Sequence, residues 1–130
     1  VILADTSVWV PYANRRWDLP AVAALRASLH NGEIAITGMV LAEVLQGIRR
    51  NEGPELEELL VSLPFLPDDK NAWHEAGRLA NSLERSGLRT PLSDVVVGIV
   101  ARTHDCELLA RDNHFHRIPG LRLHEASSHT

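Results

Sequence analysis

The sequence predicts an α/β domain: a central, mainly parallel sheet of four to five short strands with helices on both faces, a three-layer α/β/α arrangement. Three observations carry this. Short apolar runs alternate along the chain with longer stretches of helical period. Alternating strands and helices place consecutive strands parallel, with each helix crossing back over the sheet. The 130 residues contain no repeat, no low-complexity tract and no linker rich in Gly, Ser or Pro, so residues 1–130 are expected to form one domain. At 45% hydrophobic and 23% charged residues, such a chain can bury one core without disulfide staples.

Taken in order, residues 1–4 are uninterruptedly apolar and suit a strand buried on both faces. Thr6 or Ser7 can cap a helix running to about Asn14, with Pro11 an awkward residue inside it. Val22, Leu25 and Leu29 fall at helical steps in a helix over residues 19–30, and Asn31-Gly32 ends it. Residues 33–36 form a second strand. Thr37 then caps a helix carrying Val40, Leu41, Val44, Leu45 and Ile48. The pattern breaks from Arg49 to Gly53, resumes as a helix over 54–62, and gives way to a strand at 63–66. Asp68 or Asp69 caps a long helix through Trp73, Ala76, Leu79, Ala80 and Leu83, which stops at Ser86-Gly87. Thr90-Pro91 opens the last helix, with proline at the tolerated first position, and it runs to about His104. Residues 107–110 and 121–123 complete the strands.

Composition narrows the function less than the fold. No apolar run approaches the roughly 20 residues that span a bilayer, and no basic segment precedes the opening run as it would in a secretory signal. The single cysteine, Cys106, excludes an internal disulfide framework and fits a reducing compartment. A cytoplasmic protein is expected. The net charge of −4 argues weakly against a general nucleic-acid binder. Yet all thirteen basic residues except Lys70 are arginine, whose planar fork suits phosphate; codon usage in a GC-rich genome is the plainer explanation of such a bias.

The informative feature is the position of four acids. In a parallel α/β sheet, helix N-termini sit beside the C-terminal edge of the strands, where such folds place their ligands. Asp5 directly follows the first strand, and Asp112 lies just past the strand at 107–110. Asp94 falls in the opening turn of its helix, and Glu43 in the second turn of the helix after Thr37. All four are therefore predicted at one edge. Singly, each has a plain structural use: Asp5 or Asp112 as a cap, Asp94 as a favourable charge at a helix N-terminus, Glu43 as a solvated helix residue. Together they repel, since two carboxylates 4 Å apart cost about 4 kcal/mol at an effective dielectric of 20. Either their pKa values rise or a divalent cation balances them. All-oxygen ligation suits Mg²⁺ or Mn²⁺ rather than zinc. Phosphodiester hydrolysis is the natural chemistry of such a cluster.

With these residues in hand, the chain resembles the PIN-domain proteins, specifically the VapC-like toxins of toxin–antitoxin pairs. The resemblance spans essentially the whole chain. It begins with Val1-Ile2-Leu3-Ala4-Asp5-Thr6-Ser7 and continues with Leu41-Ala42-Glu43-Val44-Leu45-Gln46-Gly47. Leu92-Ser93-Asp94-Val95 and Leu108-Leu109-Ala110-Arg111-Asp112-Asn113-His114-Phe115 match the later acidic motifs. The resemblance implies a Mg²⁺- or Mn²⁺-dependent endoribonuclease that cleaves RNA when freed from its antitoxin, and that pairs as a homodimer. By resemblance, Asp5 and Asp94 are the most direct metal ligands, and Glu43 and Asp112 complete the cluster, often through water. Ser7, and less surely Thr6, helps to orient it. The implied mechanism is in-line attack of water on phosphorus. The chain departs from the family at two positions: many members carry Thr or Ser at Ala110, and some carry a second acid at His114.

Several other residues invite a role. Arg111, Asn113 and His114 stand where they can contact substrate. His114-Phe115-His116 with Cys106 suggests zinc, but the spacing matches no common structural zinc pattern. Arg15-Arg16 and Arg49-Arg50 are expected in loops, as solvated charge or as a lead-in for RNA. Trp9, Tyr12 and Trp17 either pack in the core or line an apolar groove for an antitoxin helix. Two other enzyme classes fit poorly. A haloacid-dehalogenase-like phosphatase wants an aspartate where Ser7 stands, and a response-regulator receiver wants paired acids after the first strand and a late lysine. A PIN-like module that binds RNA or protein without catalysis remains the competing reading.

Overall fold

The computed structural model describes residues 1–49 and 53–126. The chain runs β1 (Ile2–Ala4), α1 (Thr6–Ala13), α2 (Pro20–His30), β2 (Ile34–Thr37), α3 (Gly38–Gly47), α4 (Gly53–Ser62), β3 (Phe65–Leu66), α5 (Lys70–Arg85), α6 (Leu92–Thr103) and β4 (Glu107–Leu109). A 3-10 turn follows at Asn113–Arg117. The expected α/β class is therefore found, with six helices flanking the sheet. The part of the expected break that falls on residues 50–52, Arg50 included, lies outside the described residues.

All four strands are parallel and lie in the order β3-β2-β1-β4. Leu3 pairs with Ala35 of β2 on one side and with Leu108 of β4 on the other. Every residue of β1 and β2 is buried, which is why these strands read as unbroken apolar runs rather than alternating ones. From β1 the chain steps outward through β2 to β3, then returns across β1 to place β4 on its other flank. The direction of winding reverses between β1 and β4, and their C-terminal ends open onto the switch point where parallel sheets take ligands.

α6 is the central helix. Residues 95–101 are buried without exception, so the middle of the helix shows no face to the solvent. It packs on α5, α3, β4 and the 3-10 turn. A Cβ at Gly98 would collide with Ile118 Cδ1; glycine there lets Ile118, which caps the turn and is 3% exposed, lie flat on the helix. That contact, with buried Phe115, fixes the turn that follows Asp112.

Three expectations are corrected. The cap of α1 is Asp5, as its plain structural use has it, and not Thr6 or Ser7: Asp5 is extended and its side chain accepts from the Ser7 N–H. Residues 121–123 do not form a strand; they make a single parallel bridge, Leu108 to Leu123. The turn at Gly120, with φ of +79°, brings the chain beside β4 only there. Pro91 is the N-cap of α6 rather than its first residue. Trp73, on the expected long helix, is 46% exposed, its indole Nε1 donating to Asp68 at 2.8 Å. Pro11 does lie inside α1, which continues two residues past it.

Candidate metal centre

Asp5 leaves β1 with its backbone N–H donating to Leu109 O at 2.9 Å, so the sheet ladder itself fixes where its side chain starts. The residue is 2% exposed. Its Oδ2 accepts from the Ser7 N–H at 3.1 Å, while its buried Oδ1 finds no donor among the described residues. Burial raises its pKa above the ordinary carboxylate value, with Asp112 adding to the rise and hydrogen bonds from Ser7 and Thr6 opposing it.

The other acids arrive from three further elements. Glu43 projects from the second turn of α3, and Thr6 Oγ1 donates to its Oε1 at 2.8 Å. Asp94 sits in the first turn of α6 with its side chain 14% exposed. Its pKa is pushed up to about 6, first by burial, then by the charges of Asp5 and Asp112 and more weakly Glu43, with His114 acting in the opposite direction. Asp94 thus feels all three other carboxylates. Asp112 precedes the 3-10 turn in the N-cap position but makes no side-chain cap bond, which leaves its exposed carboxylate uncommitted. One ligand atom each from Asp94, Asp112 and His114 lie within 4.8 Å of one another.

Two sets of contacts hold this arrangement. Ser7 Oγ accepts from the Arg111 N–H at 3.0 Å, tying α1 to the segment that carries Asp112. Arg117 Nη1 donates to Arg89 O at 3.2 Å and Thr90 Oγ1 at 3.0 Å, tying the 3-10 turn to the entrance of α6. Nothing in the sequence announced the Arg117 contact. Sequence reasoning placed Thr6 and Ser7 near the centre without their partners.

The remaining candidates divide. The Arg111 side chain is exposed and forms no hydrogen bond or ion pair among the described residues. Asn113 and His116 are exposed. His114 turns toward the acids, its Nε2 3.9 Å from Asp94 Oδ2. Cys106 is buried just before β4, at the opposite edge of the sheet from Asp112, so it cannot share a metal with the histidines. Arg16 pairs with Asp18 at 2.9 Å.

A second concavity, of about 680 Å³, lies between the end of α1 and α4, lined by Tyr12, Asn14, Arg15, Trp17, Leu56 and Leu59 among others. Trp9 is fully buried beneath it, edge-on to Tyr12 at 5.4 Å, and Tyr12 meets Trp17 at 5.7 Å. Arg26 stacks over Trp17 at 4.4 Å. Of the three aromatics, Trp9 serves the core and the other two face the groove.

The donor set fits a hard divalent cation. A buried carboxylate oxygen without a donor is costly unless something positive reaches it, and the clustered acids around Asp94 supply oxygen ligands of the kind Mg²⁺ and Mn²⁺ take.

Fold and site together define a class: a parallel α/β domain that gathers carboxylates at the C-terminal edge of its sheet. Residues 2–121 match the PIN domain model, and the chain belongs to that family. It is 29% identical over 132 residues to the VapC ribonuclease Mb1587 of Mycobacterium bovis, with 98% of each chain covered. The same figures hold for ribonuclease VapC11 of Mycobacterium tuberculosis. Among solved structures, it is similar to VapBC2 from Rickettsia felis bound to a DNA fragment from their promoter. That match has a TM-score of 0.77 at 25% identity and covers 95% of this chain and 96% of that one. DNA-bound VapBC from Salmonella typhimurium has the same fold, with a TM-score of 0.74 at 21% identity and coverage of 95% and 96%.

Proposed function

We propose that this chain is a divalent-metal-dependent endoribonuclease, the toxin of a toxin–antitoxin pair. The observation that carries the reading is the convergence of Asp5, Glu43, Asp94 and Asp112 at one sheet edge, with Asp5 Oδ1 buried and unpartnered. The ribonuclease names of its relatives agree with it. In this reading Asp5 and Asp94 hold Mg²⁺ or Mn²⁺ directly, and Glu43 and Asp112 complete the cluster. The ion, when bound, polarises the phosphoryl group and supplies hydroxide near neutral pH. The chain's own residues do the rest. Thr6 fixes the orientation of Glu43, and Ser7 holds Asp5 and the Arg111 backbone in register. The uncommitted guanidinium of Arg111 and the exposed Asn113 receive the RNA backbone, where a planar fork matches phosphate oxygens.

The partner reading extends this. Two of the similar solved structures are VapBC proteins, and the groove presenting Tyr12 and Trp17 beside Leu56 and Leu59 suits an antitoxin helix laid in by its apolar face. A homodimer and a cytoplasmic setting belong to the same proposal; among the described residues, no helix is long and apolar enough to cross a membrane. The test is cleavage of a mixed RNA pool by antitoxin-free protein with Mn²⁺ or Mg²⁺, with EDTA, and with Asp94→Asn. Metal-dependent cleavage lost in both controls is expected. RNA binding without cleavage, in protein that binds no metal, would leave an interaction module instead.

A further inference from the structure

We propose that His114 is itself a metal ligand, giving the centre a mixed oxygen–nitrogen donor set that favours Mn²⁺ over Mg²⁺. The inference rests on the metal-dependent reading above and adds a ligand to it.

The geometry points this way in three respects. His114 Nε2 lies 3.9 Å from Asp94 Oδ2, too far for a hydrogen bond, whose limit is near 3.2 Å. Two atoms bound to one ion at about 2.1 Å each stand at most about 4.2 Å apart, so the observed separation is that of two ligands with room for an ion between them. One oxygen of Asp112 lies within 4.8 Å of both, and a small rotation of its exposed side chain brings it inside that span. His114 makes no hydrogen bond among the described residues, so no competing partner fixes the imidazole.

The turn that presents His114 is held on both sides. Phe115 is 1% exposed, Ile118 packs on Gly98, and Arg117 is bonded to the entrance of α6. The neighbouring His116 is exposed and, among the described residues, forms no ion pair. Of the two histidines in this turn, only His114 is aimed at carboxylates. An independent sign of a ligand is Asp5 Oδ1, buried without a donor at the end of the adjacent strand.

The donor type has a chemical consequence. Mg²⁺ takes oxygen ligands and resists dehydration, whereas imidazole suits transition ions, with Mn²⁺ accepting both. A carboxylate at residue 114 would give a site of oxygens alone. A histidine there shifts the preference toward Mn²⁺ and the later divalent ions of that series.

The experiment is Mn²⁺ binding to the metal-free full chain by calorimetry, with pulsed electron paramagnetic resonance reading ¹⁴N coupling to the bound ion and Mg²⁺ measured by competition. The wild type is expected to show ¹⁴N coupling, which persists in His116→Gln and vanishes in His114→Gln and His114→Asp. His114→Gln should weaken Mn²⁺ by about tenfold or more, since a direct ligand matters at least as much as the outer-shell partners worth 10- to 100-fold. His114→Asp should narrow the Mn²⁺-to-Mg²⁺ ratio. Wild-type binding of Mn²⁺ without nitrogen coupling would overturn this inference and leave the carboxylate centre standing. Tighter binding in His114→Gln would also overturn it, because the imidazole would then be a competing cation. Failure of the wild type to bind Mn²⁺ at all would overturn the metal centre with it.

Discussion

In the metal-free protein, Asp94→Asn is expected to raise stability at neutral pH while it removes the capacity for metal and for cleavage. The Asp94 carboxyl is pushed up to about 6 in the fold from an ordinary 3.8, and each unit of difference corresponds to about 1.4 kcal/mol. Allowing for solvent screening of a carboxyl that is only partly buried, charging it in the fold costs about 2 kcal/mol. An isosteric amide avoids that cost. Unfolding entropy of about 2.1 cal/mol/K per residue over a chain this long makes 2 kcal/mol worth roughly 7 °C in Tm. Between pH 3.8 and about 6 the folded state holds a proton that the unfolded state has released. Wild-type stability therefore falls as pH rises through that window and levels off above it, and the advantage of the variant disappears below pH 3.8. Thermal melts in EDTA across this range measure the effect. Mn²⁺ at a hundredfold excess over Kd should then stabilise the wild type by about 2.7 kcal/mol and the variant hardly at all. If the variant is no more stable than wild type in EDTA at pH 7.5, burial and the neighbouring carboxylates do not penalise the Asp94 charge as argued. If Mn²⁺ stabilises both equally, Asp94 is not a ligand.

Three further substitutions probe the supports. Thr6→Val takes the 2.8 Å donor from Glu43; cleavage should fall about tenfold while stability changes by less than about 1 kcal/mol, and an unchanged rate would remove Thr6 from the centre. Ser7→Ala leaves the Arg111 N–H without its acceptor, at an expected cost of about 1–2 kcal/mol by urea denaturation, with faster exchange of that amide. Unaltered exchange would show that water replaces Ser7 freely. Gly98→Val drives a side chain into Ile118 and should cost about 1–3 kcal/mol together with weaker metal binding, as the turn bearing His114 is displaced; weaker stability with unchanged binding would uncouple the turn from the centre.

Much of this protein follows from patterns that are local along the chain. Residues 2–4 and 34–36 read as buried strands, because uninterrupted apolar side chains need cover on both faces. Once strands and helices alternate, chain direction alone carries Asp5, Asp112, Asp94 and Glu43 to one edge, whatever the order of the strands. Local pattern reports faces, however, and not partners. It left the strand order β3-β2-β1-β4 undetermined. It placed Trp73 on the long helix but could not register the Asp68 carboxylate that its indole bonds at the surface. It read residues 121–123 as a strand because three suitable residues look alike whether one or three of them pair. The contacts that shape the centre join residues far apart in sequence: Thr6 to Glu43, Ser7 to Arg111, Arg117 to Thr90. Each depends on how two elements pack to within a fraction of an ångström. Packing against Gly98 is what turned His114 from a loop residue into a neighbour of Asp94. The sequence determined which elements form and which edge they serve; tertiary packing decided which side chains meet, because hydrogen bonds and ion pairs are sensitive to distances that no one-dimensional period encodes.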